Sequence, residues 1–125
     1  MQLIYLDSYN KVDIALDPFP FTGGATTVEG LWMGVPLITL SGSSMVARQG
    51  VSILSNAGLQ EWIASNEQEY IDKAICFSSD VKKLNSIRKG LRKKVLSSPL
   101  FDSARFTSNL ENTLTELWQR YSDAN

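Results

Sequence analysis

No histidine occurs among the 125 residues, and there is one cysteine, Cys76. Without imidazole the chain lacks the commonest general base and metal ligand, and every Ser-His-Asp or Cys-His arrangement is excluded. A single cysteine closes no internal disulfide, and beside a histidine-free sequence it leaves a zinc site close to excluded. Cys76 lies in Tyr-Ile-Asp-Lys-Ala-Ile-Cys-Phe, among apolar positions of an expected helix, and reads as a buried, inert thiol. No apolar run approaches the roughly 18–20 residues of a membrane span, and Met1-Gln2-Leu3 lacks the basic flank of a signal peptide. The expectation is a cytoplasmic protein with no membrane partner. Two nucleotide signatures are also missing: no Gly-Lys-Ser or Gly-Lys-Thr follows a glycine loop, and no G-x-G-x-x-G is present.

What remains is an ordinary globular composition, 43% hydrophobic and 20% charged, in a length that fits one domain, residues 1–125. The net charge of −1 hides an uneven split. Residues 1–79 balance at −5 and residues 80–125 at +4, and seven of the twelve basic side chains fall between Lys82 and Lys94. Leu84, Ile87, Leu91 and Val95 recur there at helical spacing, so the cations read as the wet face of an amphipathic helix. No aromatic residue interleaves with them to stack on bases, and no nucleic-acid partner is expected.

Leu3, Leu6 and Asn10 mark a short helical lead-in, and Val12–Leu16 reads as a buried strand. Pro18 and Pro20 break it. A helix is expected from Ala25 or Thr26 to Met33, ended by Gly34, with a second strand at Leu37–Leu40. Strand, helix and strand in that space form a βαβ unit with parallel pairing. Further along, the spacing predicts a helix over Met45–Asn56 closed by Gly58, and a short strand at Glu61–Ile63. A helix over 66–78 follows, with Ser65 and Gln68 at capping-box spacing. Asp80 and Asp102 are placed to cap two more helices, the last carrying an apolar stripe of Phe106, Leu110, Leu114, Leu117, Trp118 and Tyr121. The expected fold is α/β: a partial Rossmann-like parallel sheet of about three strands with flanking helices.

The chemistry concentrates in Leu16–Pro36, where a strand end, a Pro-rich entry, Gly23-Gly24 and a hydroxyl-led helix follow one another. Glycines can take positive φ and approach an anion closely, and the first N–H groups of a helix have no intrahelical partner. They sit at the positive end of its dipole, a natural place for a diphosphate. Thr26 and Thr27 can donate there, although capping explains one threonine as well. Glu29, three residues after Thr26, fits either a capping box or a carboxylate accepting from ribose hydroxyls. Asp17 sits where open α/β sheets place ligands, but it can equally satisfy turn N–H groups beside Pro18. Arg48 suits structural pairing after the Ser41–Ser44 loop better than a phosphate contact, with Ser43 and Ser44 weaker contact candidates. Trp32 and Met33 read as core packing against the sheet.

This run resembles the O-linked N-acetylglucosamine transferase family, especially its bacterial, tetratricopeptide-associated members. Their donor domain carries a similar LDPFP-(Y/F)-(N/T)-GG-x-T-T-x-(E/D)-x-L-W-x-G-x-P stretch. Thr39-Leu40-Ser41-Gly42, Arg48, Gly58-Leu59, Ile63-Ala64, Glu69-Tyr70, Arg88 to Arg92 and Ser97-Ser98-Pro99-Leu100-Phe101-Asp102 extend the resemblance over nearly the whole chain. It implies a GT-B glycosyltransferase with two facing Rossmann-type domains. Such enzymes transfer a sugar, here from UDP-N-acetylglucosamine, to protein side chains with inversion and without metal or cofactor. The diphosphate would lie on Gly23, Gly24, Ala25, Thr26 and Thr27, and the ribose on Glu29, with no catalytic residue in this chain. Two departures stand out: Ile4-Tyr5-Leu6-Asp7 stands where animal relatives carry a basic, imidazole-bearing lead-in, and the family's lysine and acceptor-side segments are absent. The chain is therefore expected to be the C-terminal portion of a larger enzyme, inactive alone and able to self-associate through the Val12–Leu16 edge. The alternatives are a GDP-fucose-using relative, or a non-catalytic α/β module that binds protein partners.

Overall fold

In the computed structural model, which describes residues 2–124, a three-stranded parallel sheet in the order β1-β2-β3 is surrounded by helices. Helix α1 spans Gln2–Asp7 and runs into a 3-10 turn over Ser8–Lys11. Strand β1 (Ala15–Leu16), helix α2 (Ala25–Trp32) and strand β2 (Leu37–Leu40) make the expected βαβ unit. Helix α3 (Gln49–Asn56) leads to strand β3 (Ile63–Ala64), and α4 (Glu67–Ser79), α5 (Val81–Leu96) and α6 (Ser103–Asp123) complete the chain.

Three consecutive β2 residues, Leu37, Ile38 and Thr39, are buried, as in a central parallel strand covered on both faces. Around them gather Leu31 from α2, Leu54 from α3, Ala57 just beyond it, Leu59, Trp62, and Leu84, Leu91 and Val95 from α5. The helical positions expected to face inward in α5 therefore do so, and its lysines stay in water. Asp80 and Asp102 cap α5 and α6, accepting from the N–H of Lys83 and Arg105 at 2.9 Å in each case, each cap worth about 1 kcal/mol. Gly34 and Gly58 end α2 and α3 with φ of 80° and 69°, the left-handed conformation that glycine adopts without steric cost.

Several boundaries differ from the sequence reading, each for a local reason. β1 pairs only at Ala15 and Leu16, opposite Leu37 and Ile38. Below that point Pro36 offers no N–H to a ladder, and the Val12 N–H closes on Tyr9 O at 3.2 Å. The helix expected from Met45 begins at Gln49. Ahead of it the carbonyls of Val46 and Ala47 turn outward to accept from Thr22 and Gly42, leaving a 3-10 turn at Val46–Arg48. Glu61 and Trp62 belong to a 3-10 turn, Gln60–Trp62, because the Trp62 N–H binds Leu59 O at 3.0 Å. The ladder with β2 starts at Ile63. Helix α4 is capped by Asn66, whose Oδ1 accepts from Glu69 N at 2.9 Å, one residue later than expected. Glu69 answers by accepting from the hydroxyl and N–H of Ser65. Those bonds, with Lys73, hold its carboxyl down to about 2.

Cys76 is exposed, not buried. Tyr70, Ala74 and Phe77 form the inner face of α4 and turn Cys76 outward. The α6 stripe forms as a continuous helix, yet Phe106, Leu110, Leu114, Leu117, Trp118 and Tyr121 are all exposed. Trp32 is half-buried beside Phe101, with Arg92 stacked 4.4 Å from its ring centroid, instead of lying against the sheet.

Gly50 marks the tightest approach in the fold: a Cβ there would overlap Asp17 Oδ2 and Thr39 Oγ1. Both neighbours are fixed by hydrogen bonds, so they have little room to yield. Gly50→Ala should therefore destabilise the chain by about 1–3 kcal/mol, as overpacking does. Urea denaturation measures this, and an unchanged midpoint would show that the contact is not tight.

Candidate functional site

The glycine turn lies at the carboxyl end of β1, on the side of an open α/β sheet where ligands gather. Its position is set by Asp17, the residue after β1, which is 1% exposed. Asp17 Oδ1 accepts from the Gly23 N–H at 2.7 Å, and Oδ2 accepts from the Thr39 hydroxyl at 2.7 Å. Its own N–H donates to Ile38 O at 2.9 Å, and its carbonyl accepts from the Tyr70 hydroxyl at 2.9 Å. One residue thus ties β1, the turn, β2 and α4 together.

A second brace is Thr22, whose hydroxyl donates to Val46 O at 2.8 Å and accepts from the Gly50 N–H at 3.2 Å. Between these two anchors the chain passes Pro18 and Pro20, the latter after a cis peptide bond. Gly23 and Gly24 do not use positive φ. Their value is steric: a Cβ on Gly23 would lie 2.5 Å from Thr27 Oγ1 and 3.0 Å from Thr26 Oγ1, and one on Gly24 would lie 3.1 Å from Gln49 Oε1. Gly23 also spends its N–H on Asp17, so it shapes the cradle without donating into it.

Helix α2 begins at Ala25, with Gly24 as its cap residue and no side-chain capping bond. The threonine pair therefore does not cap the helix. The carbonyl of Gly24 takes the N–H groups of Thr27 and Val28 at 3.1 and 3.2 Å. Among the described residues, the N–H groups of Gly24, Ala25 and Thr26 have no partner. Thr26 is exposed, while Thr27 Oγ1 is enclosed beneath the turn with no partner. The first turn of α2 thus offers free N–H groups at the positive end of the helix dipole.

Glu29 lies one turn on. Its carboxylate has no hydrogen-bond partner among the described residues, so the capping-box reading fails. It lines a pocket of about 210 Å³ with Tyr5, Leu6, Val28, Trp32 and Phe101. Tyr9, beside it, has its hydroxyl pushed well above the usual phenol range, first by burial, then by Tyr5, with a smaller contribution from Glu29. Arg48 donates to Ser41 Oγ at 2.9 Å and Gly42 O at 3.2 Å, the structural role. Ser44 Oγ accepts from Ala47 N, and Ser43 is exposed. Among the described residues, no three His, Cys, Asp or Glu side chains come together as a metal site, and no helix is long and apolar enough to cross a membrane.

The profile of glycosyl transferase family 41 matches residues 9–110. The chain belongs to that family. It is similar to a probable UDP-N-acetylglucosamine–peptide N-acetylglucosaminyltransferase SPINDLY of Petunia hybrida, 45% identical over 119 residues, which is 95% of this chain and 13% of the relative. A probable enzyme of the same description, SEC of Arabidopsis thaliana, is 36% identical over 107 residues, 85% of this chain and 11% of the relative. Among solved structures, a mutant O-GlcNAc transferase of Thermobaculum terrenum superposes with a TM-score of 0.84 at 39% identity, over 94% of this chain and 22% of that one. The family-41 chain thus spans a small part of the proteins it matches. The superposition bears out the α/β architecture and the resemblance to O-GlcNAc transferases.

Asp17, Thr22, Thr39, Gly50 and Tyr70 are the residues that sequence reasoning left out of the site. For Asp17 a signal existed, its place at a strand's carboxyl end, but no spacing rule pairs it with Thr39. Burial raises its carboxyl above the ordinary range, against the opposing pull of the bonds from Gly23 and Thr39. An acid shifted upward stabilises the fold fully below its unfolded value, near 3.8, and that contribution fades as pH rises through the folded value. Compared with Asp17→Asn, the native chain should therefore lose relative stability between strongly acid and neutral pH. Denaturation midpoints of both proteins across that range measure it; a native advantage that grows with pH would contradict it.

Proposed function

We propose that this chain forms the donor-diphosphate wall of a protein glycosyltransferase, a cytoplasmic enzyme that uses UDP-N-acetylglucosamine and a protein acceptor. In this reading residues 1–125 are a single domain, part of a nucleotide-sugar-binding domain. The observation that carries it is the start of α2, where Asp17 draws away the Gly23 N–H and the next three N–H groups stay free beside the exposed Thr26 hydroxyl. Gly23 and Gly24 keep the approach open, Ala25 and Thr26 donate, and Thr27 supplies a further hydroxyl if the turn relaxes. Glu29, one turn along, accepts from the ribose. The names of the relatives support the donor and the acceptor class.

The chemistry that follows is transfer with inversion, in which the departing diphosphate gathers negative charge. Backbone donors and the helix dipole meet that charge, so the reading needs no metal. No general base and no acceptor-binding residue belongs to the proposed set. The chain alone is accordingly proposed to bind UDP without transferring sugar.

Titration of the chain with UDP, followed by amide NMR, should move resonances of residues 23–29 and leave α5 and α6 unchanged. Thr26→Val should weaken binding about tenfold, the loss of one hydrogen bond to a charged group. Binding unaffected by the substitution, or shifts centred elsewhere, would count against the proposed site. Sugar transfer by the chain alone would overturn the view that further segments are required.

A further inference from the structure

Helix α5 contains seven cations and no acidic residue. Two of the seven are used within the chain: Arg88 pairs with Asp13 and donates to Gly34 O, and Arg92 covers Trp32. Lys82, Lys83, Lys89, Lys93 and Lys94 are exposed, and none has a side-chain partner among the described residues. At 3.6 residues per turn Lys82, Lys89 and Lys93 lie opposite Leu84, Leu91 and Val95, and Lys83 and Lys94 flank them along one side. Lys89 and Lys93 stand one turn apart as a like-charge pair, which weakens a helix.

In the middle of this face lie Ser86 and Gly90. Gly90 is exposed, and a Cβ placed on it would meet no atom within 4 Å. Nothing in this chain requires a glycine there, although glycine is the poorest helix former after proline. Its absent side chain matters if another main chain crosses the helix closely at that point.

We propose that this face of α5 binds an extended acidic segment of another protein, lying over Ser86 and Gly90 with its carboxylates between the lysines. The surface carries no ring on which a nucleobase could stack, and its centre offers no apolar side chain to enter a bilayer. Unpaired lysines around a smooth, open strip match an acidic polypeptide in charge and shape. None of these lysines belongs to the glycine turn, so the inference stands apart from the proposed donor site.

The probe is a fluorescein-labelled decaglutamate peptide, titrated with the whole chain and followed by anisotropy at low and physiological salt. Saturable binding that weakens with salt is expected. The Lys89→Glu/Lys93→Glu double variant should weaken it about tenfold, whereas Lys11→Glu/Arg105→Glu, with the same charge change off the face, should change it by less than about twofold. Gly90→Ala should raise the thermal midpoint and still weaken binding several-fold. Equal losses in the two double variants would overturn the proposal by reducing the effect to net charge. So would tighter binding of an oligothymidylate or of anionic vesicles than of the peptide.

Discussion

Two short hydrogen bonds to one buried carboxylate position the glycine turn. Asp17 follows β1 directly, so the sheet fixes its backbone, while its side chain reaches both Thr39 on β2 and the Gly23 N–H. A buried charge is costly unless its lone pairs are filled, and the two donors offset part of that cost. The same arrangement commits Gly23 and leaves the N–H groups after it free. Remove the carboxylate and two donors lose their acceptor at once, one of them the residue that sets the entry to α2.

Around this fixture the other constraints fall into order. Gly50 lets α3 come against Asp17 and Thr39, Thr22 clips the turn to α3, and Tyr70 ties α4 to the same point. The resulting cradle is a property of backbone placement more than of reactive side chains. That fits a sequence with no histidine: the groups the turn presents are amides and hydroxyls, which are suited to binding and orienting an anion.

Much of this was legible in the sequence because it depends on local rules. Glycines at helix ends, aspartates at helix starts and the apolar spacing of Leu84, Leu91 and Val95 each act within a few residues, and the helices follow them closely. Strand ends were less legible, since pairing stops where the partner runs out of donors, as Pro36 does opposite β1. The site divides in the same way. Gly23 through Glu29 could be found as a motif, but the bonds from Asp17 to Thr39 and from Thr22 to Gly50 span 22 and 28 residues and exist only once the sheet has formed. Cys76 shows the converse: apolar neighbours in sequence suggested burial, and the rotation of α4 about its own axis placed it outside.

The central claim, that the first turn of α2 is held open for a diphosphate, is tested most directly by a crystal structure of the chain with UDP. The account predicts phosphate oxygens within hydrogen-bond distance of the Ala25 and Thr26 N–H groups and of the Thr26 hydroxyl, with the Asp17–Gly23 bond intact. A diphosphate bound away from α2, or a turn in which Gly23 has left Asp17 to bind the ligand, would contradict it.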